Sequence, residues 1–352
     1  MPTEFFYGLP QLRHKGFSVD LLDLNELTPK QNTLRYQWAR LKDCHREKQT
    51  LMNHCEHLFV DDIDTIFEYD QIIAGTEYIA LGLADFLKKD QAPPMIFFAM
   101  GMLSKPLLQL PEGHKGRKRA IARYKQLLER SAGGMFLGEP ELHNSQRYFP
   151  TLTKQMYFSS FGVDTQFWTP KNDNAQGDGY FLFVGNDARR DTTTFLSVVR
   201  GMPDQKFIAI TSLLDNENNL PANLEIIRGN WKQELITDEQ MRKYYQNAHA
   251  VVLPIEDTLQ PSGQSVALQA MACGKPVVIS DFPGFWERGA YRDGEDIILV
   301  QPKNSQAMIN ALQKLTDDST YAEKVGTNAR KLALKHFTIE RFADNVIKAL
   351  DK

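Results

Sequence analysis

The feature that most constrains the fold of this chain is a regular alternation of short apolar runs with amphipathic segments of helix length. The apolar runs cover residues 17–22, 70–74, 94–99, 135–137 and 155–158 in the first half, and residues 180–184, 206–210, 224–227, 250–254, 276–280 and 297–300 in the second half. The predicted helices cover residues 77–89 and 117–130, a segment after each of the first five strands of the second half, and residues 323–334 and 339–351. Buried strands separated by amphipathic helices form parallel sheets covered on both faces, so the sequence predicts an α/β protein.

A polar stretch rich in Gly, Asn and Asp divides this alternation into two halves. It covers residues 171–179 and has the composition of a linker. We therefore predict two doubly wound domains, residues 1–165 and residues 166–335. Ligands of such sheets bind beyond the carboxyl ends of the strands, so the cleft between two such domains is the expected site.

Composition excludes several classes of partner. Lys and Arg number 41 against 44 Asp and Glu, giving a net charge of -3, which argues against a nucleic-acid partner. The three cysteines, Cys44, Cys55 and Cys273, follow no C-x-x-C spacing, so neither a disulfide framework nor a zinc cluster is expected. The chain has no run of about 20 apolar residues and does not start like a signal peptide. We expect a cytoplasmic protein with no transmembrane segment.

The segment 251–281 carries the clearest candidate site. A strand ends at Pro254, and Ser262 and Gly263 are predicted to open a helix, with Ser262 as its N-cap. The N–H groups of Gly263, Gln264 and Ser265 would then point out of a helix N-terminus, an arrangement that binds phosphate. A capped helix with no ligand fits the spacing equally well.

This segment also resembles a known family. Its run L-Q-A-M-A-C-G-K-P-V-V (268–278) is similar to the donor-binding signature of the GT-B glycosyltransferases of family GT4. Further similarities, in the same order as in the family, are F-G-V-D at 161–164, F-V-G at 183–185, P-G at 283–284, Glu287 and D-G at 293–294. The resemblance implies two Rossmann-like domains, with the first binding an acceptor, the second binding the donor, and a C-terminal helix (336–352) packing on the first.

The resemblance also implies an activity. It implies retaining transfer of a sugar from a nucleotide diphosphate sugar, UDP- or GDP-linked, to the hydroxyl of a sugar, glycan, lipid or small molecule. No metal and no other cofactor is required in this family.

Two positions depart from the family signature. The glutamate that usually holds the ribose is Gln269 here, and its amide still accepts and donates hydrogen bonds. The other glutamate position, eight residues earlier, is Pro261. Because the loop is three residues longer than usual, Glu256 or Asp257 is a candidate for that role, although both also fit solvated loop acids.

A second candidate is the turn after the strand 180–184. In the family this turn carries basic residues that hold the donor diphosphate. Here Gly185 is followed by Asn186 in place of the usual Arg, and Arg189 and Arg190 supply the charge. A guanidinium binds two phosphate oxygens at once and stabilises a leaving diphosphate. The alternatives are a surface pair without ligand, or Arg190 paired with a neighbouring acid such as Asp191.

The turn after the strand 224–227 is the third candidate. The resemblance places backbone groups of Gly229 and Asn230 against the nucleotide base, with Trp231 lining the base pocket. A tryptophan here equally fits plain packing.

The first domain departs further from the family. Relatives often carry a histidine where Met100 and Gly101 stand, and they begin with a strand and a Gly-rich loop that this sequence does not show before Glu4, which is expected to open the first helix near the cleft. The basic stretch within residues 114–125, which includes His114, is a candidate for peripheral membrane contact or for a solvated helix start.

The histidines around Cys55 are candidate metal ligands. Their segment is expected to be a helix with His54 and His57 on an outward polar face, so no metal is predicted.

Two other functions stay open. The altered signature also fits a catalytically inactive nucleotide-sugar-binding partner subunit. A third reading is another GT-B enzyme, such as a sugar-nucleotide epimerase.

Overall fold

The computed structural model describes residues 1–87, 92–101, 103–171, 179–228 and 236–351. They form two compact units. The six-stranded unit contains Met1–Gln11, Phe161–Thr258 and Ser262–Ala343, and the four-stranded unit contains Leu12–Ser160, Leu259–Pro261 and Asp344–Lys352.

The helices and strands alternate along the chain as follows. The helices are α1 (Leu9–His14), α2 (Leu34–Thr50), α3 (Ile63–Ile66), α4 (Glu77–Leu83), α5 (Ser104–Gln109), α6 (Lys115–Arg130), α7 (Glu139–Tyr148), α8 (Thr192–Gly201), α9 (Asp238–Asn247), α10 (Gln264–Ala272), α11 (Ser305–Asp317), α12 (Ser319–His336) and α13 (Ile339–Leu350). The strands are β1 (Ile72–Ala74), β2 (Met95–Ala99), β3 (Gly133–Phe136), β4 (Met156–Phe158), β5 (Tyr180–Val184), β6 (Lys206–Ile210), β7 (Leu224–Ile227), β8 (Ala248–Leu253), β9 (Val277–Ser280) and β10 (Ile298–Val300).

The six-stranded sheet is parallel, with the order β10-β9-β8-β5-β6-β7. Its core strands are apolar on both faces because helices cover both sides, and Phe183 stacks on Phe195 of α8 with ring centroids 4.3 Å apart. The chain order reverses between β5 and β8. A reversal of this kind opens a crevice at the carboxyl ends of the two strands, which is where doubly wound sheets bind their ligands.

The four-stranded sheet is also parallel, with the order β1-β2-β3-β4. All five residues of β2 are buried. The ring of Phe97 packs edge-on against Tyr124 of α6 at 6.3 Å, and Phe97 also leaves no room for a side chain at Gly134 of β3. The core of this unit therefore lies between the sheet and α6.

The predicted α/β organisation is confirmed, and ten of the eleven predicted strands correspond to β1–β10. The prediction was wrong for residues 17–22, which are apolar but form no strand; Leu21 and Leu22 are half exposed. It was also wrong for the helices expected after β6 and β9. Residues 211–223 form turns, and the segment after β9 contains only the 3₁₀ turn Arg288–Ala290.

The expected helix around His54 is likewise wrong. The helix α2 ends at Thr50, where Leu51 adopts a left-handed conformation, and a 3₁₀ turn, Glu56–Leu58, follows. The side chains do not face outward as predicted, because His54 is buried and its Nδ1 lies 2.9 Å from the Met52 carbonyl oxygen. The Nδ1 of His57 pairs with the carboxylate of Asp43 at 2.8 Å.

At both ends of the chain, the compact units group residues differently from the expected domain boundaries. Residues Met1–Gln11, which the sequence placed in the first domain, belong to the six-stranded unit. The C-terminal helix α13 is shared, since its residues up to Ala343 belong to the six-stranded unit and those from Asp344 onward to the four-stranded unit.

Helix α12 packs closely on the end of α10, and this contact gives the first prediction. A Cβ atom on Gly326 would overlap the carbonyl oxygen of Gly274. Because a backbone oxygen has no other rotamer to adopt, Gly326→Ala should lower the free energy of unfolding by about 1–3 kcal/mol, the usual cost of overpacking. Urea unfolding measures it. Gly289→Ala is the matched control, since a Cβ there meets nothing within 4 Å, and an equal loss in both variants would contradict the packing argument.

Candidate functional site

The candidate site lies in the six-stranded unit, where β5 and β8 end. The chain after β5 and the chain after β8 are joined by two backbone hydrogen bonds, from the N–H of Asp191 to the Pro254 oxygen and from the N–H of Glu256 to the Arg189 oxygen, both 2.9 Å long. These bonds hold the predicted basic turn beside the loop that leads to α10. Two of the candidate segments are therefore brought together at the switch point.

Helix α10 begins one residue later than predicted. Its N-cap is Gly263, with φ +81°, and no side chain caps the helix, so the predicted capping role of Ser262 is wrong. A left-handed φ favours glycine, and a Cβ here would lie 3.7 Å from a guanidinium nitrogen of Arg190. The start of α10 therefore lies close to the Arg190 guanidinium.

Ser262 instead joins a buried network around Arg190. The Nη1 of Arg190 donates to Ser262 Oγ at 2.9 Å and to Asp187 Oδ2 at 2.6 Å, and its Nε donates to the Val184 oxygen at 3.0 Å. Ser262 Oγ in turn donates to Asp187 Oδ1 at 2.9 Å. The acid that pairs with Arg190 is Asp187, whereas Asp191 caps α8.

Gly185 is required by the position of this guanidinium. Its φ is +134°, and a Cβ would lie 2.5 Å from Arg190 Nε. Any larger residue at 185 would therefore displace the cation from its place under the turn.

The electrostatics around Arg190 favour an anion. The side chain is almost fully buried, and burial lowers the pKa of Arg190 while the Asp187 carboxylate opposes that shift. An arginine stays protonated even so, because its unperturbed pKa exceeds 12. Asp187 supplies the counter-charge that a buried guanidinium needs, and its half-exposed carboxylate occupies the position in which an incoming anion would meet Arg190 and Ser262.

The other candidate residues near Arg190 differ in their surroundings; they are Asn186, Arg189, Glu256 and Asp257. The Oδ1 of Asn186 accepts from the Ser212 N–H at 2.6 Å and from the Thr211 and Ser212 hydroxyls, which fixes the turn. Glu256 and Asp257 are exposed. Asp257 lines an open cavity of about 440 Å³ together with residues of the loops after β9 and β10, namely Asp281, Phe282, Pro283, Gln301, Pro302 and Lys303.

Gln269 occupies the buried side of α10 and uses both of its polar atoms inside the protein. Its Oε1 accepts from the Tyr245 hydroxyl at 2.9 Å, and its Nε2 donates to Glu4 Oε1 at 2.9 Å. The same Glu4 oxygen accepts from Trp168 Nε1 at 2.6 Å. We missed this network because Glu4 is 265 residues away in sequence and was expected to open a helix in the other domain.

Glu4 therefore places a carboxyl group next to the position where the resembled family has one. Its side chain is fully buried, in the 3₁₀ turn Glu4–Phe6, and its Oε2 accepts from the Asp164 N–H at 3.3 Å. Burial raises the pKa of Glu4, while the hydrogen bonds from Gln269, Trp168 and Asp164 lower it. A neutral amide therefore stands at 269 in place of the glutamate of the resembled family, and it donates a hydrogen bond to Glu4 of the N-terminal segment.

In the four-stranded unit, two buried glutamates hold the loop where a histidine is absent. Glu77 Oε2 accepts from the Met100 N–H at 2.8 Å, and its Oε1 accepts from the Tyr124 hydroxyl at 2.6 Å. Burial, followed by the charge of Glu77, raises the pKa of Glu141 well above its ordinary value, while the Gly101 N–H opposes the shift. Sequence spacing gave no signal for this pair, because the two residues lie on different helices, α4 and α7.

Two further predictions concern the nucleotide base and a metal ion. Gly229, Asn230 and Trp231 fall between residues 228 and 236, outside the described residues. Within the described ranges, no group of three or more His, Cys, Asp and Glu side chains is placed to hold a metal ion.

Comparison with known proteins places the candidate site in a family domain. Residues 181–318 match the family described as "Glycosyl transferases group 1". The matched segment is therefore similar to a domain of that family. It contains β5 to α11, and with them Arg190, Ser262, Gly263 and Gln269.

Two curated relatives are glycosyltransferases. An uncharacterized glycosyltransferase of Methanocaldococcus jannaschii is 29% identical over 112 residues, which is 32% of this chain and only 27% of that protein. The D-inositol 3-phosphate glycosyltransferase of Jonesia denitrificans is 23% identical over 305 residues, covering 80% of this chain and 71% of the relative.

Solved structures of glycosyltransferases share the fold. Sucrose-phosphate synthase of Thermosynechococcus elongatus has a TM-score of 0.67 at 20% identity, covering 84% of this chain and 77% of that one. HepE of Anabaena, in complex with UDP-glucose, has a TM-score of 0.65 at 16% identity, covering 84% and 82%. The predicted GT-B fold, with two Rossmann-like sheets, is confirmed.

The Glu4 network gives a prediction of pH dependence. Burial raises the pKa of Glu4 above 4.5, so the folded state favours the neutral acid, and stability falls as the pH rises from 4.5 through the raised pKa. Glu4→Gln does not titrate. The free energy of unfolding of the wild type should therefore fall relative to that of Glu4→Gln as the pH rises above 4.5 and through the raised pKa. Urea unfolding at several pH values measures this difference, and a constant or rising difference would contradict the argument.

Proposed function

We propose that this protein transfers a sugar from a nucleotide diphosphate sugar to an acceptor hydroxyl. The observation that carries the proposal is the buried cation of Arg190, held between Gly185, Ser262 and the glycine N-cap of α10 at the switch point of the six-stranded sheet. The family match over residues 181–318 supports the same reaction.

In this proposal the donor diphosphate lies between Arg190 and the start of α10. The first N–H groups of a helix have no partner within the helix, and with the helix dipole they favour an anion. The N–H groups of Gly263, Gln264 and Ser265 take this role, and Gly263 lets the phosphate approach the backbone. When the sugar–phosphate bond breaks, charge develops on the leaving diphosphate, and Arg190, with Arg189 at its side, stabilises it electrostatically.

The Asp187 carboxylate occupies the position proposed for the donor phosphate. It accepts from Arg190, from Ser262 Oγ and from the Arg189 N–H at 2.9 Å. A diphosphate offers oxygens to the same donors and carries more charge. We infer that the phosphate displaces Asp187, and that the carboxylate keeps the buried guanidinium paired until it does.

The other parts of the donor and the acceptor follow the resemblance. The nucleotide is UDP or GDP, with the base at Gly229, Asn230 and Trp231, and the anomeric configuration is retained without a metal. Glu256 and Asp257, beside the open cavity, approach the sugar. Gln269 faces the ribose side of α10 and is kept in one orientation by Tyr245 and Glu4. The four-stranded unit binds the acceptor.

One observation favours a second candidate, a donor-binding subunit without catalysis. Both polar atoms of the Gln269 side chain already have partners inside the protein, and Pro261 stands at the other glutamate position. A turnover assay separates the two functions. Release of free UDP or GDP that requires an added acceptor supports the transferase, and donor binding without turnover over sugar, lipid and glycan acceptors supports the subunit.

Donor binding tests the site itself. Arg190→Lys keeps the charge but loses the planar fork, and it should weaken binding of UDP or GDP about 10- to 100-fold, the value of a charge-assisted hydrogen bond. Gly263→Val blocks the approach to the helix start and should abolish binding. Isothermal calorimetry measures both variants.

The controls for that experiment are an exposed arginine and an open glycine. Arg288→Lys and Gly289→Val lie in the same unit, where Arg288 pairs with Asp281 and a Cβ on Gly289 meets nothing. Both should bind like the wild type. Wild-type affinity in Arg190→Lys and Gly263→Val, with unchanged melting temperatures, would refute the site.

The variant Asp187→Asn tests whether Asp187 competes with the diphosphate for Arg190 or orients Arg190 to bind it. The amide preserves the shape and one of the two acceptor oxygens, and it removes a negative charge from the place proposed for phosphate. Diphosphate affinity should rise about fivefold, since two unit charges 4 Å apart interact by about 1 kcal/mol in water. Calorimetry at low and high salt measures the gain, which should shrink with salt. A loss of affinity would mean that Asp187 orients Arg190 for the ligand instead of competing with it.

A further inference from the structure

Helix α2 of the four-stranded unit exposes large apolar side chains. The exposed fractions are 85% for Leu34, 73% for Trp38 and 65% for Leu41. These positions are four and three residues apart, which puts them on one stripe of the helix. A stripe of this size with no protein against it marks a surface that binds something else.

The stripe lies opposite the side by which α2 is attached to the protein. Tyr36, Ala39 and Asp43 are buried, and on a helix of 3.6 residues per turn they point about half a turn away from Trp38. The exposed stripe is therefore not part of the core contact of α2. The helix is attached by one face and offers the other to solvent.

The charges on the exposed side of α2 are all positive. Arg35 and Arg40 are exposed on either side of the stripe, and Lys48 is exposed further along. The two acidic residues of this helix, both described, turn inward, since Asp43 pairs with His57 and Glu47 accepts from the His54 N–H at 2.8 Å. Apolar groups flanked by cations are thus presented without an exposed carboxylate on the helix.

A second basic segment continues this surface. The C-terminal end of α2 packs on the start of α6, where a Cβ on Gly116 would overlap the Gln49 carbonyl oxygen. Lys115, Lys118 and Arg119 are exposed on that first turn of α6. The cationic surface therefore runs from α2 onto the basic stretch of α6.

We propose that the exposed face of α2 binds the surface of an anionic lipid bilayer, with Leu34, Trp38 and Leu41 entering the headgroup region. Helices that lie in a membrane interface have an apolar face with cationic flanks, and tryptophan favours the headgroup level. An exposed face that carries apolar groups and cations and no exposed carboxylate complements a negatively charged surface. None of the described helices is long and apolar enough to cross a membrane, so this contact is peripheral.

The proposal does not depend on sugar transfer, because none of these residues belongs to the donor site. Vesicle binding therefore tests it separately. The probes are vesicles of phosphatidylcholine alone and of phosphatidylcholine with 30% phosphatidylserine, mixed with the full-length protein and separated by flotation. Binding is expected to the anionic vesicles, and it should weaken as salt is raised.

Two pairs of substitutions separate the apolar and the charged contributions. Trp38→Ser with Leu41→Ser should reduce binding at least tenfold, because the buried apolar area is lost. Arg35→Gln with Arg40→Gln should reduce binding to anionic vesicles about 25-fold, about fivefold for each charge. Leu334→Ser is the matched control, since Leu334 is 46% exposed on α12 of the six-stranded unit, and it should bind like the wild type. Circular dichroism and melting curves verify that each variant folds.

Cys44 allows a direct measurement on the same helix. It is the exposed cysteine of the three, whereas Cys55 and Cys273 are buried, so a polarity-sensitive thiol dye labels α2. The dye emission should shift to the blue when anionic vesicles are added. No flotation and no shift with the wild type would overturn the proposal. A Trp38-dependent dimer in sedimentation velocity without vesicle binding would overturn it too, and would assign the stripe to a second copy of the chain.

Discussion

The interaction on which the candidate site depends is the burial of one guanidinium. Arg190 lies almost out of contact with water, and a charge in that position is costly unless it is paired and hydrogen-bonded. Its partners are supplied by the end of β5, by the turn that follows and by Ser262 ahead of α10, so the cation ties three segments together. Gly185 is a glycine for the same reason, because a Cβ there would crowd the guanidinium, whereas Gly263 is a glycine because its φ is +81°. The chemistry proposed for the site uses the charge that the fold already needs.

A second buried charge system explains how the altered signature is accommodated. An amide at Gln269 lets Tyr245 donate to one end and Glu4 accept from the other, so the two atoms of the amide fit two different partners. A glutamate at 269 would face the Glu4 carboxyl without a donor between them, and two adjacent acids cannot both be charged in a buried place. The residue at 269 and the residue at 4 are therefore coupled choices. The neutral Gln269 of the signature is therefore explained by the adjacent carboxyl group of Glu4 in the N-terminal segment.

Much of the fold was predictable from the sequence, because apolar runs of strand length have few alternatives in a buried parallel sheet. Ten strands followed from that pattern, and the signature around α10 indicated the candidate site. The failures share one cause, which is that local pattern does not report long-range partners. Residues 17–22 form an apolar run that is not buried. His54 lies in a loop that is fixed by contacts with Met52 and Glu47. Ser262 accepts a hydrogen bond from Arg190 instead of capping the helix that it precedes. The Glu77–Glu141 pair and the Glu4–Gln269 contact join residues that no spacing rule connects.

The position of Glu4 also bears on how the chain folds during synthesis. The six-stranded unit is assembled from three stretches, which begin at Met1, Phe161 and Ser262, and the last of them ends at Ala343. The Glu4–Gln269 contact closes a loop of 265 residues, and the entropy of closing such a loop is offset only once the later strands have formed. Because synthesis runs from the N-terminus to the C-terminus, residues Leu12–Ser160 of the four-stranded unit are made before Gln269, the partner of Glu4. A fragment that starts at residue 161 would leave the Trp168 indole N–H and the Gln269 amide N–H without the acceptor that satisfies both, so this unit cannot be separated from its N-terminal segment without leaving buried donors unpaired.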